Sequence, residues 1–482
     1  MSTVRRSLAY SALDSYVALV LQIVSTVVVA RILTPEQVGV FAVAAVFASL
    51  ASTFRDFGVG EYLIQEKELG RDALRAALTV NIAVSWTMAV LLFVLAPFAA
   101  QFYRAEGVGE VMRVQSLNFL LIPFGAVTMA WFRREMNFKP IFLAGLVANL
   151  VSFCVVLALA LNGFGYMSLA WSSLAGVAAT VLTSLALRPK GFPRTPGLNG
   201  VAKVFHFGKF VSGVYIFGQL GKGAPEMIVG KAGGMADVGM LSRAQGLVEI
   251  FHRLVLRAVL PVCLPFFAKG VRETGSPKPG LLKSISYVTA VGWPFLAFMA
   301  VTAFAAVRLI YGTQWLAAVP LAKLLCAAAA VELVYVASKE ALLANGLVKQ
   351  SSALQIGVQL LRVLGLLAVV PWGLEGAAWG LLVAAGFGAW LSHHYLSRLI
   401  GLQLREVLRA LSPSAMVTLI CVAPLAAYTA YRPIDESNYL PVATIGGAAG
   451  VLLWVLGLRL TRHPLWPEVA AGAQAVLRRL HR

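Results

Sequence analysis

Apolar residues run through this chain in long blocks, each closed by a short polar turn or by glycine and proline. Fourteen blocks stand out, at 12–32, 39–64, 76–100, 111–132, 140–161, 166–187, 207–230, 238–266, 284–310, 318–345, 351–371, 376–397, 413–431 and 440–460. A helix of roughly 20 apolar residues crosses a hydrocarbon core of ~30 Å. The pattern therefore predicts an all-α polytopic membrane protein with about 14 transmembrane helices. The first block follows Arg5 and Arg6, is full length and lacks a small-residue cleavage site. It is expected to remain as a spanning helix and not to be removed as a signal peptide. Composition agrees: 59% of residues are hydrophobic and 13% charged, more apolar than a soluble fold requires.

The formal net charge of +19 raises the question of nucleic acid, but its distribution answers it differently. Most of the 40 Lys and Arg residues fall on the loops that share a side with both termini. They include Arg5, Arg6, Arg133, Arg134, Lys139 and the tail at Arg478, Arg479 and Arg482. Positive charge marks the cytoplasmic side of membrane proteins, so both termini are expected in the cytoplasm and no nucleic-acid partner is needed. Cys154, Cys263, Cys326 and Cys421 each lie in an apolar run without metal-ligand spacing, and no disulfide framework is suggested. No phosphate-binding loop, nucleophile elbow or HExxH helix occurs. No cofactor, metal or enzymatic activity is expected.

The chain repeats itself. Ala30 to Gly39 closes the first block and opens the second, as Gly230 to Gly239 does for the seventh and eighth. Lys139 precedes the fifth block as Lys349 precedes the eleventh; Gly165 stands before Trp171 as Gly373 stands before Trp379. Matching signals in matching order imply two six-helix lobes of parallel topology. The division predicted is 1–190 for the first lobe, 191–204 for a basic cytoplasmic linker and 205–400 for the second lobe. Residues 401–482 follow as two added helices and a basic tail.

Charges within the blocks carry the chemistry. Those at membrane depth are costly and mark functional sites. In the eighth block, Arg243, Arg253 and Arg257 fall within an arc of roughly 80° if the helix is regular, at about 100° per residue. A cationic stripe of this kind asks for an anion, and guanidinium groups bind phosphate oxygens in charge-assisted, often bidentate pairs. Lys222 and Arg55 are further candidates for the same cavity. Glu226 lies four residues from Lys222, Glu249 four from Arg253, and Asp56 beside Arg55, as charge-pairing or ion-coupling groups. His252 lies on the opposite face.

Leu33-Thr-Pro-Glu-Gln-Val-Gly39 followed by Asp56-Phe-Gly resembles the first two helices of polysaccharide-export flippases. Val238-Gly-Met-Leu-Ser-Arg-Ala-Gln-Gly246 with Pro261 and Pro265 is similar to their eighth helix. Arg133-Arg-Glu-Met-Asn-Phe-Lys139 and Gly163-Phe-Gly-Tyr with Trp171 follow the same pattern. The chain thus resembles the Wzx-type oligosaccharide flippases of the multidrug/oligosaccharidyl-lipid/polysaccharide exporter superfamily. It departs at Gly234-Met-Ala-Asp-Val-Gly, where that family has a Ser/Thr-rich turn. The resemblance implies two lobes around a central cavity lined by the first, second, seventh and eighth helices. It implies alternating-access movement of undecaprenyl-diphosphate-linked oligosaccharide across the bacterial inner membrane, for O-antigen, capsule or exopolysaccharide synthesis. Implied partners are that lipid-linked substrate, membrane lipids, and a polysaccharide polymerase with glycosyltransferases. A lipid II flippase shares the diphosphate logic. A drug/cation antiporter shares the architecture, but its cavity would more naturally be acidic or aromatic. A membrane-embedded polymerase or ligase would carry a long extracytoplasmic loop, and none is present in the pattern.

Overall fold

The computed structural model describes residues 3–480 apart from 56–57, 67–69 and 194, with the side chains of 3–15, 207–217, 473 and 475–480 also outside the description. The described chain is helical and contains no strand among the described residues. It divides into two compact units, Met1–Gly239 and Met240–Arg482. Ten described helical segments are long and apolar enough to cross a membrane. The bent pair Glu106–Leu121 and Pro123–Arg134, with 54° between its arms, makes eleven.

The first unit holds α1 (Thr3–Ile32), α2 (Pro35–Arg55), α3 (Val59–Gln65), α4 (Arg71–Tyr103), α5 (Glu106–Leu121), α6 (Pro123–Arg134), α7 (Phe138–Leu161), α8 (Tyr166–Ala186) and α9 (Val201–Ala232). The start of α2 shows why Thr34-Pro-Glu-Gln37 is a helix-opening sequence. The Thr34 amide donates to Gln37 Oε1 at 3.1 Å, and the Gln37 amide donates to Thr34 Oγ1 at 3.3 Å. This reciprocal box meets two amides that a helix start leaves open, while Pro35 in the first turn has no amide to leave unmet.

A line of close contacts joins α2 to α9. Ser49 accepts a hydrogen bond from the Gln219 side chain, Val46 fills the space a side chain at Gly223 would need, and Val43 covers Gly230. At the end of this line, a Cβ on Gly39 would overlap the Met235 carbonyl, and one on Gly239 would overlap the Pro35 carbonyl. Small residues let helix backbones approach closely, which is how helices associate where lipid supplies no hydrophobic drive.

The basic segment 188–200 is docked on the first unit. Arg188 donates to Thr128 Oγ1 at 3.0 Å and to the Phe124 carbonyl at 2.6 Å, and it stacks 5.1 Å from the Phe192 ring. Arg75 donates to the Thr195 and Pro196 carbonyls at 3.3 and 3.2 Å, and Thr79 exchanges hydrogen bonds with Gly197.

The helix α10 (Met235–Phe251) carries the unit boundary. The second unit continues through a π turn, His252–Leu256, into α11 (Arg257–Thr274). It then holds α12 (Lys278–Val301), α13 (Ala303–Ile310), a 3-10 turn Thr313–Ala318, α14 (Val319–Leu333), α15 (Ser338–Ala344) and α16 (Val348–Val369). It ends with α17 (Gly373–Ile400), α18 (Leu404–Tyr431), α19 (Tyr439–Leu460) and α20 (Trp466–Leu480). Close contact of Gly365 with Ala384 and Gly380 makes α16 and α17 a tight hairpin. The helices α18 and α19 are fastened to the unit through α12. Trp454 donates to the Ala290 carbonyl at 2.8 Å, and buried His463 bonds Ser286 and Ser414 at 3.2 and 3.1 Å.

Candidate functional site

The cationic candidates of the second unit all lie on the run from α10 through the π turn to α11. Arg243 is two turns into α10, and no hydrogen bond or ion pair reaches its guanidinium among the described residues. Two aromatic rings pack against it instead. Its guanidinium carbon is 5.5 Å from the centre of the Tyr311 ring and 5.1 Å from that of Trp315. Both rings come from the segment between α13 and α14, Tyr311 at 2% and Trp315 at 0% exposure. Nε of Arg243 is fully buried and unbonded, while the residue as a whole stays partly exposed.

Arg253 sits inside the π turn. Its Nε lies 3.3 Å from Glu249 Oε1, and both side chains are partly exposed. Arg257 opens α11 and is exposed. The regular-helix arithmetic that puts the three arginines in one arc does not survive this turn. A π turn inserts one residue, so everything beyond it is displaced by about one residue's rotation, ~100°. Arg257 is thereby carried off the face shared by Arg243 and Arg253. His252 is exposed within the same turn.

In the first unit, Lys222 is exposed on α9, beside the Gly223 contact, and no ion pair of Lys222 occurs among the described residues. Glu226 is half-buried and engaged by other groups. Arg55 ends α2, half-buried and engaged, while Asp56 lies outside the described residues. Glu332 and Lys339, which a continuous helix would place on one face, are separated by the break between α14 and α15. No group of three or more His, Cys, Asp or Glu side chains suited to a metal occurs among the described residues.

The sequence draws attention to Arg243, Arg253 and Glu249 but not to Tyr311 and Trp315. An aromatic pair four residues apart at the end of an apolar block reads as the ordinary interfacial belt. Only its arrival over Arg243 distinguishes it.

A family model described as a polysaccharide biosynthesis protein matches residues 28–320. The teichuronic acid biosynthesis protein TuaB of Bacillus subtilis (strain 168) is 24% identical over 377 residues, covering 75% of this chain and 76% of its own length. The succinoglycan biosynthesis transport protein ExoT of Rhizobium meliloti (strain 1021) is 26% identical over 337 residues, covering 67% and 65%. The lipopolysaccharide biosynthesis protein WzxC of Escherichia coli (strain K12) is 25% identical over 328 residues, covering 66% and 65%. Among solved structures, the lipid II flippase MurJ in an inward closed conformation superposes with a TM-score of 0.73 at 12% identity, covering 94% of this chain and 98% of that one. An inward-facing multidrug resistance MATE family transporter of the MOP superfamily gives 0.61 at 15% identity, covering 79% and 95%. At such identities the likeness is one of fold.

Proposed function

This chain belongs to the polysaccharide biosynthesis protein family, and we propose that it is a flippase for saccharides carried on a lipid diphosphate. In this reading the cargo crosses the bacterial inner membrane by alternating access, with both termini in the cytoplasm and no covalent step. The observation that carries it is the cationic run of the second unit. Within one helical segment of 40 residues, Met235–Thr274, stand Arg243, Arg253 and Arg257, and between Arg243 and Arg257 the one acid is Glu249. Cations held at membrane depth with so little compensation are expensive unless an anion visits them. A diphosphate is such an anion, and guanidinium is the side chain that matches its oxygens.

Arg253, partly exposed inside the π turn, is assigned to the diphosphate. Glu249 holds Arg253 while the site is empty. The names of similar proteins, for teichuronic acid, succinoglycan and lipopolysaccharide synthesis, support a glycan cargo. A polymerase and glycosyltransferases acting on the same cargo are the partners this implies.

The test is reconstitution. Purified protein in vesicles is expected to move a prenyl-diphosphate-linked oligosaccharide between leaflets, without lengthening or cleaving it. Chain growth or sugar release by the purified chain would replace the flippase with an enzyme. Reporter fusions after Arg188 and near Asp435 are expected to report the cytoplasm and the opposite side, respectively; reversed signals would overturn the orientation.

A further inference from the structure

The corner where α17 passes into α18 is fastened on its inner side and basic on its outer side. Gly401 ends α17 at a φ of 69°, a left-handed conformation that suits glycine, and Leu402 is fully buried beneath the turn. The Gln403 amide donates to Glu406 Oε2 at 2.9 Å, part of the capping box that opens α18. Lys278 of α12 reaches the same corner, donating to the Gly401 carbonyl at 3.0 Å and pairing with Glu406 at 2.8 Å. Glu406 is the one acid between Arg398 and Arg409, and it is thus engaged.

Arg398 in the last turn of α17, and Arg405 and Arg409 in the first two turns of α18, are exposed. No salt bridge reaches them among the described residues. Large apolar side chains are exposed beside them: Trp390 at 62%, Leu404 at 55% and Leu408 at 57%. The Trp390 ring is steadied by His394, stacked on it at 5.6 Å. At ~100° per residue, the four exposed residues at the start of α18 share an arc of roughly 140° with exposed Met416 and Leu419 further along it. Trp390 and Arg398 likewise continue the face of exposed Trp379 and Phe387 on α17.

These are the faces that meet hydrocarbon within the spans, so the corner lies where they leave it. Arg398 stands one residue beyond the apolar block 376–397, and Arg409 four residues before the block 413–431. At ~1.5 Å per residue, that is about 2 and 6 Å outside the hydrocarbon, the depth of the headgroup layer. Water there would leave the three apolar side chains uncovered. Hydrocarbon there would leave three guanidinium groups unsolvated. Phosphates seated above acyl chains satisfy both.

We propose that the α17–α18 corner is a binding site for an anionic phospholipid of the leaflet it faces. Arg398, Arg405 and Arg409 hold the headgroup, while Trp390, Leu404 and Leu408 cover the glycerol and the first carbons of the chains. This lipid is a resident partner and not cargo, and the site stands whether or not a diphosphate is held at Arg253.

The experiment titrates the purified full chain in detergent with dioleoyl phosphatidylglycerol or dioleoyl phosphatidylcholine and follows the thermal midpoint. The anionic lipid is expected to raise the midpoint at a concentration about tenfold or more lower than the zwitterionic one, because three cations face its charge. Changing Arg398, Arg405 and Arg409 together to Gln is expected to remove that difference, and Arg405→Gln alone to shrink it several-fold. Leu408→Gln is expected to weaken the response with the charges intact. Arg253→Gln is expected to leave it unchanged, which keeps the site apart from the cargo path. Changing Arg133, Lys139 and Lys190, exposed basic residues of the first unit, together to Gln is also expected to leave it unchanged.

Equal responses of the wild type to the two lipids overturn the site, as does a preference that survives loss of the three corner arginines. A loss as large in the first-unit variant would reduce the effect to net charge and overturn it as well. Glycerophosphoglycerol, the same headgroup without chains, is expected to shift nothing at matched concentration. An equal shift by it, or by inorganic phosphate, would make the corner a site for soluble phosphate esters and refute the lipid.

Discussion

Residues 34–53 and 234–253 correspond at an offset of 200, yet they end in opposite chemistry. The first opens with the Thr34–Gln37 capping box; the second opens with Gly234 at a φ of 95°, a left-handed conformation that glycine adopts without strain. Both then deliver a glycine, Gly39 and Gly239, into a reciprocal contact with the carbonyls of Met235 and Pro35. Beyond it they part. The first repeat has Val43, Ser49 and Thr53, of which Val43 is fully buried and Ser49 bonds Gln219. The second has Arg243, Glu249 and Arg253 at the same offsets. Glycine stands at both places where backbones touch, because no side chain fits there. Helix faces are under no such constraint, and Arg243, Glu249 and Arg253 are charged where Val43, Ser49 and Thr53 are not.

The largest effect is expected where both copies agree. Gly39→Val and Gly239→Val each force a branched side chain into a carbonyl, and overpacking of this kind costs about 3 kcal/mol or more. Neither variant should yield a monodisperse peak in detergent gel filtration. Gly60→Ala, which meets nothing within 4 Å, should elute and melt like the wild type. Folded, stable Gly39→Val would mean that the two turns need not touch.

The divergent position gives a pair of opposite expectations. Val43→Arg buries a cation without a partner and should destabilise by about 3–5 kcal/mol, read as a fall in thermal midpoint. Arg243→Met removes an unmet buried donor and should leave stability within about 1 kcal/mol of the wild type. Arg243→Met as damaging as Val43→Arg would make Arg243 a packing residue and remove the basis for an anion there.

A second buried polar group of the same unit sharpens the contrast with Arg243. His463 is 1% exposed, and every ring nitrogen is partnered. The Leu465 amide donates to Nδ1 at 3.0 Å, so the ring hydrogen lies on Nε2, toward Ser286 and Ser414. Burial pushes the imidazole below its ordinary value of 6.5. The unfolded chain therefore takes up a proton first as pH falls. Stability should be full above pH 6.5 and decline as pH drops from there toward the lowered folded value. His463→Gln should flatten that part of the melting profile, and an unchanged profile would remove His463 as its source.

The smallest effect belongs to Arg253 and Glu249. Their side chains are 32% and 46% exposed, so a double-mutant cycle should give a coupling below about 1 kcal/mol. A much larger coupling would mean that Glu249 competes with cargo for Arg253 more strongly than its exposure implies.

Much of this architecture is written locally. Apolar blocks long enough to cross a membrane, the Thr34-Pro-Glu-Gln37 helix start and the duplicated Val-Gly turns follow from residue order, because hydrophobic period and capping act within a few residues. The concentration of arginine on the eighth block, and the spacing of Glu249 from Arg253, were legible for the same reason. Tertiary structure decided the rest. The π turn at His252–Leu256 breaks the arginine stripe, and a slip of one hydrogen bond leaves no mark in an apolar pattern. The docking of 188–200 replaces a free tether with hydrogen bonds from Arg75, Thr79 and Arg188 to groups far along the chain. The rings of Tyr311 and Trp315 meet Arg243 only after α13 and α14 pack, so their contact with its guanidinium could be recognised only in the folded chain.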